Sequence, residues 1–210
     1  MPGIHVYVDG LNLYHDLLRR LDGRGKWLDL EALADKVAGH RVEAVYYFTS
    51  RVAGLRPGDV GPRDRQKVFL RAVEAMERVE VVYGLMRVER VRRFLVRPFL
   101  WERRSPKVLN PKEKGTDVAL ATLLVMHACR RVFDKAIVIS NDSDLALPVR
   151  TAVDLGGDVL VVHPSEYPAK ALLHAGARVE KLWTSTILSC QLPERAATKT
   201  GSVERPSDWA

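Results

Sequence analysis

The chain has 210 residues, 47% of them hydrophobic and 28% charged, a composition that suits one globular domain with a sizeable core and excludes fibrous or disordered classes. No stretch approaches the ~18 uninterrupted apolar residues needed to span a bilayer, and the opening residues run into a strand-like segment without a basic and apolar leader, so a cytoplasmic protein with no membrane partner is expected. The net charge is +7, and the two cysteines, Cys129 in an apolar helical run and Cys190 near a polar tail, offer no disulfide framework.

In chain order, residues 4–8 (IHVYV) read as a strand that ends at Asp9-Gly10. Tyr14, Leu17, Leu18 and Leu21 then recur with helical spacing, and Asp29 is placed to cap a second helix that buries Leu30, Leu33, Ala34 and Val37. Residues 42–49 form a second strand, 54–62 a Gly- and Pro-rich loop, 68–76 a helix and 79–83 a third strand. Segment 84–114 is a basic insertion whose residues 87–92 alternate weakly, as in a hairpin or an irregular excursion. Residues 116–131 make the most apolar helix, greasy on nearly every face and therefore expected to be buried. The all-apolar strand 136–140 stops at Asn141-Asp142-Ser143-Asp144. A helix over 145–155, a strand over 159–162 and a last βα-like pair over 169–188 complete the periodic part. Residues 189–210 lack periodicity and are rich in polar side chains, so they read as a flexible tail. Apolar strands separated by helices predict one doubly wound α/β domain over residues 1–188, its parallel sheet covered on both faces. An exposed edge of that sheet would serve a homodimer.

The excess charge is concentrated. Between Met86 and Lys114 stand ten basic residues and three acids, a surplus equal to that of the whole chain, interleaved with Phe94, Phe99 and Trp101. Such a segment attracts polyanions, and its aromatic faces can stack on unpaired bases. Arg90, Arg92, Arg93 and Arg97 are its candidate RNA contacts; without them the run is an ordinary solvated surface.

The acids sit where strands end. In an open parallel sheet the functional crevice lies outside the carboxyl ends of the strands that flank the reversal of strand order. A chain that winds outward and then returns beside its first strand brings Asp9 to face Asp142 and Asp144, and right-handed crossovers favour this arrangement. Asp117, opening the apolar helix, comes to the same edge. Each acid alone reads as a turn or capping residue. Together, four neighbouring carboxylates need a counter-charge, and an all-oxygen set suits Mg²⁺ or Mn²⁺ better than zinc. The six histidines are scattered without ligand spacing, and His5 and His127 fall in apolar contexts that suit the core. Asn12 is placed to hold a water or orient a carboxylate, and Lys114 and Thr116 flank Asp117 where a phosphate could meet a helix N-terminus.

The segments Tyr7-Val8-Asp9-Gly10-Leu11-Asn12, Glu113-Lys114-Gly115-Thr116-Asp117-Val118-Ala119-Leu120 and Ser140-Asn141-Asp142-Ser143-Asp144-Leu145 resemble the NYN domain, in particular the LabA-like branch of the PIN-like nuclease superfamily. The resemblance spans residues 4–165, with the motifs in order. It implies a PIN-like three-layer α/β/α sandwich and a metal-dependent ribonuclease, with Asp9, Asp117, Asp142 and Asp144 as metal-binding acids and Asn12 as their polar partner. Where several PIN-like nucleases carry a further acid after the second strand, this chain has Thr49, Ser50 and Arg51. The expected activity is hydrolysis of RNA phosphodiester bonds by water activated at the Asp cluster. The alternative from another class is an RNA-binding regulatory module with little or no turnover. Asp142-x-Asp144 after an apolar strand also resembles the haloacid dehalogenase signature. That motif belongs on a first strand, which places small-ester phosphatase activity lower.

Overall fold

The computed structural model describes residues 3–52, 60–94 and 105–209. The chain runs through β1 (Gly3–Asp9), α1 (Gly10–Asp16), α2 (Leu30–Ala38), β2 (Ala44–Thr49), α3 (Val60–Val73), β3 (Val79–Tyr83), β4 (Leu85–Arg92) and β5 (Lys107–Lys114). It continues through α4 (Thr116–Arg130), β6 (Phe133–Ile139), α5 (Ala146–Asp154), β7 (Asp158–His163), α6 (Lys170–Leu173), β8 (Arg178–Lys181), α7 (Thr184–Ser189), β9 (Arg195–Thr198) and β10 (Gly201–Glu204).

Six strands form one parallel sheet in the order β3-β2-β1-β6-β7-β8. The chain steps outward from β1 to β3 and then returns to the other side of β1, so strand order reverses between β1 and β6. Period-two alternation divides the sheet's side chains between two cores. Val6, Val8, Val45, Ile137, Ile139 and Val162 pack with Leu13, Leu33, Phe69 and Ile187, that is, against α1, α2, α3 and α7. Tyr7, Phe48, Val138 and Val161 pack with Leu120, Leu124, Val149 and Leu172, from α4, α5 and α6. The result is the three-layer α/β/α sandwich that the sequence pattern predicts. No helix among the described residues is long and apolar enough to cross a membrane.

Local signals placed most elements. Asp29 caps α2 as expected, its carboxylate accepting the Ala32 N–H at 2.9 Å. Helix α3 begins earlier than expected, at Val60, because Pro62 fits a first helical turn, where its missing N–H is no loss. Helix α4 is buried on one stripe only, through Thr116, Leu120, Leu124, His127 and Ala128, and Val118 is 69% exposed. Its apolar outer residues were misleading because composition, unlike spacing, does not say which face meets the sheet.

The basic segment forms an antiparallel hairpin, β4 with β5, pairing Leu85 with Lys114 through to Arg92 with Lys107. The expected flexible tail is instead folded. Strands β9 and β10 pair antiparallel, Ala196 and Val203 turn inward, and the Trp209 ring packs 6.4 Å from Trp27 and 6.2 Å from Phe69. Four-residue strands that bury one side chain each leave too short a pattern for periodicity to register. Trp209 anchors the segment.

Candidate metal centre

Strand parity decides where Asp9 points. It follows Tyr7 by two residues and so lies on the α4 side of the sheet, and Ser140 follows Val138 in the same way. At Gly10 a Cβ would lie 2.6 Å from the Tyr47 ring and 2.8 Å from the Phe48 carbonyl oxygen, so only glycine lets α1 start flush against β2. Asp9 caps α1, its Oδ1 accepting the Asn12 N–H at 3.0 Å. The other oxygen, Oδ2, accepts the Ser140 hydroxyl at 2.9 Å, and Ser140 Oγ in turn accepts the Asp142 N–H at 3.0 Å. Ser140 thereby ties the ends of the two central strands together. Asp117, the second residue of α4, arrives from above. One carboxylate oxygen from each of Asp9, Asp117 and Asp142 lies within 4.8 Å of the other two.

The electrostatics are those of an uncompensated anionic cluster. Asp9 is 3% exposed, and burial pushes its pKa up to about 6. The charges of Asp117 and Asp142 push the same way, against the hydrogen bonds from Asn12 and Ser140. Asp117 is also raised, by burial first and then by Asp142, Glu113 and Asp144. Among the described residues no Lys or Arg forms an ion pair with any of the three. The donors fit a hard divalent cation such as Mg²⁺ or Mn²⁺.

Asp144 does not join the group. It sits exposed in the turn Ser143–Leu145, with its N–H donating to Asp142 Oδ1 at 2.9 Å, and only its charge reaches Asp117. Among the described residues the Asn12 side chain bonds to none of the three carboxylates; its amide oxygen accepts the Asn141 N–H at 2.8 Å and fixes α1 against the loop after β6. Asn141 is the hub of a network that sequence reasoning missed. Its Nδ2 donates to Ser165 Oγ at 2.8 Å and to the Tyr167 carbonyl at 3.1 Å, and its Oδ1 accepts the Ala169 N–H at 2.7 Å. The Ser165 hydroxyl donates to Asp16. Ser140 had a sequence signal in its parity with Val138. Asp16 and Ser165, on separate elements, had none.

The polyanion contacts divide. Arg90 and Arg92 lie exposed on one face of β4, opposite Leu109 and Lys107, with Arg93 exposed just beyond. Arg97 lies outside the described residues, as do Phe99 and Trp101. Lys114 is turned to Glu89, 3.7 Å away, and Thr116 is buried with its N–H donating to Glu113 Oε1 at 3.0 Å. The start of α4 is thus capped by the chain's own carboxylate, which leaves less of it for a phosphate than expected. His5 and His127 are core residues, and His127 Nδ1 is hydrogen-bonded to the Tyr7 hydroxyl at 2.8 Å.

No family model matches the chain. It is similar to 6-hydroxy-3-succinoylpyridine 3-monooxygenase HspA of Pseudomonas putida, 25% identical over 238 residues, an alignment that covers 97% of this chain and 74% of that protein. A distant relative is therefore named as an enzyme. Among solved structures it is similar to a protein of unknown function from Vibrio parahaemolyticus, 15% identical with a TM-score of 0.49, over 87% of this chain and 94% of that one.

Proposed function

We propose that the protein is a metal-dependent ribonuclease of the NYN type. The observation that carries this reading is the convergence of Asp9, Asp117 and Asp142 at the point where strand order reverses, with no Lys or Arg among the described residues paired to them. A divalent ion bound there would supply charge neutralisation at phosphorus and a water of lowered pKa. The chain's own residues do the rest. Asp9, Asp117 and Asp142 would hold the ion, and Ser140 fixes the rotation of Asp9 through its hydroxyl. Asn12 and Asn141 hold α1 and the loop after β6 at a constant separation. In-line attack of water on phosphorus breaks the P–O3′ bond and leaves a 5′-phosphate and a 3′-hydroxyl. The exposed arginines of the hairpin supply a surface for the polyanion, which is also what a binding module without turnover would need.

The name of the Pseudomonas relative supports a second reading, hydroxylation of a pyridine derivative. Two residue-level features weigh against it. The strand order here is that of dinucleotide-binding sheets, but β1 leads into Asp9-Gly10-Leu11-Asn12 rather than a glycine-rich turn, and its carboxylates repel a pyrophosphate. The oxygen-only donor set also lacks the imidazoles of a facial-triad iron site.

The test is incubation of an end-labelled RNA pool with Mn²⁺, with Mg²⁺, with EDTA, and with the Asp142→Asn variant. Metal-dependent products absent from the EDTA and variant lanes support hydrolysis. Bound but uncut RNA in every lane favours the binding module. Consumption of oxygen with 6-hydroxy-3-succinoylpyridine and a two-electron reductant favours the monooxygenase.

A further inference from the structure

An open groove of about 780 Å³ lies between α3 and the root of the β4–β5 hairpin. Four cations line it. Arg51 stands just past β2, and Arg63, Lys67 and Arg71 follow one another at i, i+4 and i+8 along one stripe of α3. The acid in its wall, Glu74, accepts the Tyr83 hydroxyl at 2.5 Å. None of the four cations forms an ion pair among the described residues.

The groove is built rather than incidental. Gln66 clasps the chain on both sides of Arg51, its Nε2 donating to the Ser50 carbonyl at 2.8 Å and its Oε1 accepting the Val52 N–H at 2.7 Å. The Arg51 guanidinium lies over the Tyr83 ring, 4.9 Å from its centre, and the contact with Glu74 fixes that ring. Like charges held together without counter-charge repel one another, and an anionic ligand relieves the repulsion.

The groove also adjoins the carboxylates. Asp9 pairs with Phe48, and Thr49 with Tyr83, so both features lie at the carboxyl edge of the sheet, the carboxylates on its α4 side and the groove on its α3 side. Gly84 forms the join, and any side chain there would collide with Glu113 and Thr116.

We propose that this groove holds the sugar–phosphate backbone of a nucleic-acid strand that passes over the Gly84 join to the bond that sits at Asp9, Asp117 and Asp142. The assignment rests on the nuclease reading for what lies at the carboxylates. Because Arg51 covers the face of Tyr83, the groove offers charge rather than a stacking surface, and its grip is on phosphates regardless of base sequence.

The experiment is fluorescence anisotropy of a labelled single-stranded RNA in EDTA over a series of salt concentrations, with the full chain and with the Arg63→Ala/Lys67→Ala/Arg71→Ala variant. Alanine keeps α3 helical, and a melting curve checks the fold. Loss of three phosphate contacts predicts at least tenfold weaker binding and a salt slope flatter by about 2. Equal affinity and slope for wild type and variant overturn the proposal, as does a wild type that binds no RNA. Adenosine monophosphate, offering one phosphate, is expected to bind about a hundredfold more weakly than the strand; equal affinity makes this a mononucleotide pocket and overturns the strand assignment. Groove-dependent binding without cleavage in Mn²⁺ retires the nuclease reading and keeps the groove. Cleavage that the variant matches does the reverse.

Discussion

Asp9 carries the most chemical information of any single residue. Its pKa stands at about 6 in the fold against an ordinary value of 3.8, so the fold prefers its protonated form. That preference contributes stability fully below pH 4, and the contribution is lost as pH rises through 6. At pH 7.5 the ionised group then costs the metal-free protein up to about 3 kcal/mol. Asp9→Asn keeps an oxygen for the Asn12 N–H and removes the charge. The variant is expected to melt higher than wild type at pH 7.5 in EDTA and to lose most of the pH dependence between 4 and 7. Added Mn²⁺ should raise the wild-type melting temperature and leave the variant's unchanged. A variant less stable than wild type at both ends of that range contradicts the account. Asp9, Asp117 and Asp142 were legible in the sequence because each ends or starts a strongly patterned element. Asp144 stands outside their group because residues two apart in a 3₁₀ turn point apart, while spacing on paper makes them neighbours. The Asn141–Ser165–Asp16 chain was invisible, since its members meet only through tertiary contact.

Among the elements, the C-terminal hairpin departs most from expectation. Trp209 is 9% exposed against Trp27 and Phe69, and Arg65 of α3 pairs with Asp208 at 2.9 Å. The segment therefore braces the helix that carries Arg63, Lys67 and Arg71. Trp209→Ala should lower stability by about 3 kcal/mol, read as a fall in the urea midpoint. An unchanged midpoint would restore the picture of a passive tail. The strands and α2 were readable because apolar runs and a capping Asp are local signals. The open face of α4 was not, because it depends on what packs against it, and the start of α3 was hidden because Gly61 and Pro62 also suit a loop. The weak alternation over residues 87–92 became β4, one arm of the hairpin.

At the scale of the whole molecule, charge is sorted along one edge of the sheet. Three carboxylates occupy the reversal between β1 and β6, and cations flank them in the groove and on the hairpin. A phosphodiester strand is complementary to such a layout only when a metal ion neutralises the centre. Arg90→Ala/Arg92→Ala should weaken RNA binding severalfold and flatten its salt dependence by about one unit of slope, read by anisotropy across a salt series; unaltered binding would make the hairpin face ordinary surface. The sheet order itself was foreseeable, since right-handed crossovers and a returning chain leave few alternatives. Which acids meet was less so, because that depends on strand parity and on the exact turn that follows β6.

The most direct test of the central claim is a Mn²⁺ titration followed by the loss of the free-ion signal in electron paramagnetic resonance. Tight binding by the wild type is expected, with its loss in Asp9→Asn, Asp117→Asn and Asp142→Asn and its retention, at most a few-fold weaker, in Asp144→Asn. Binding that survives all three of the first substitutions, or that depends on Asp144 alone, would contradict the claim.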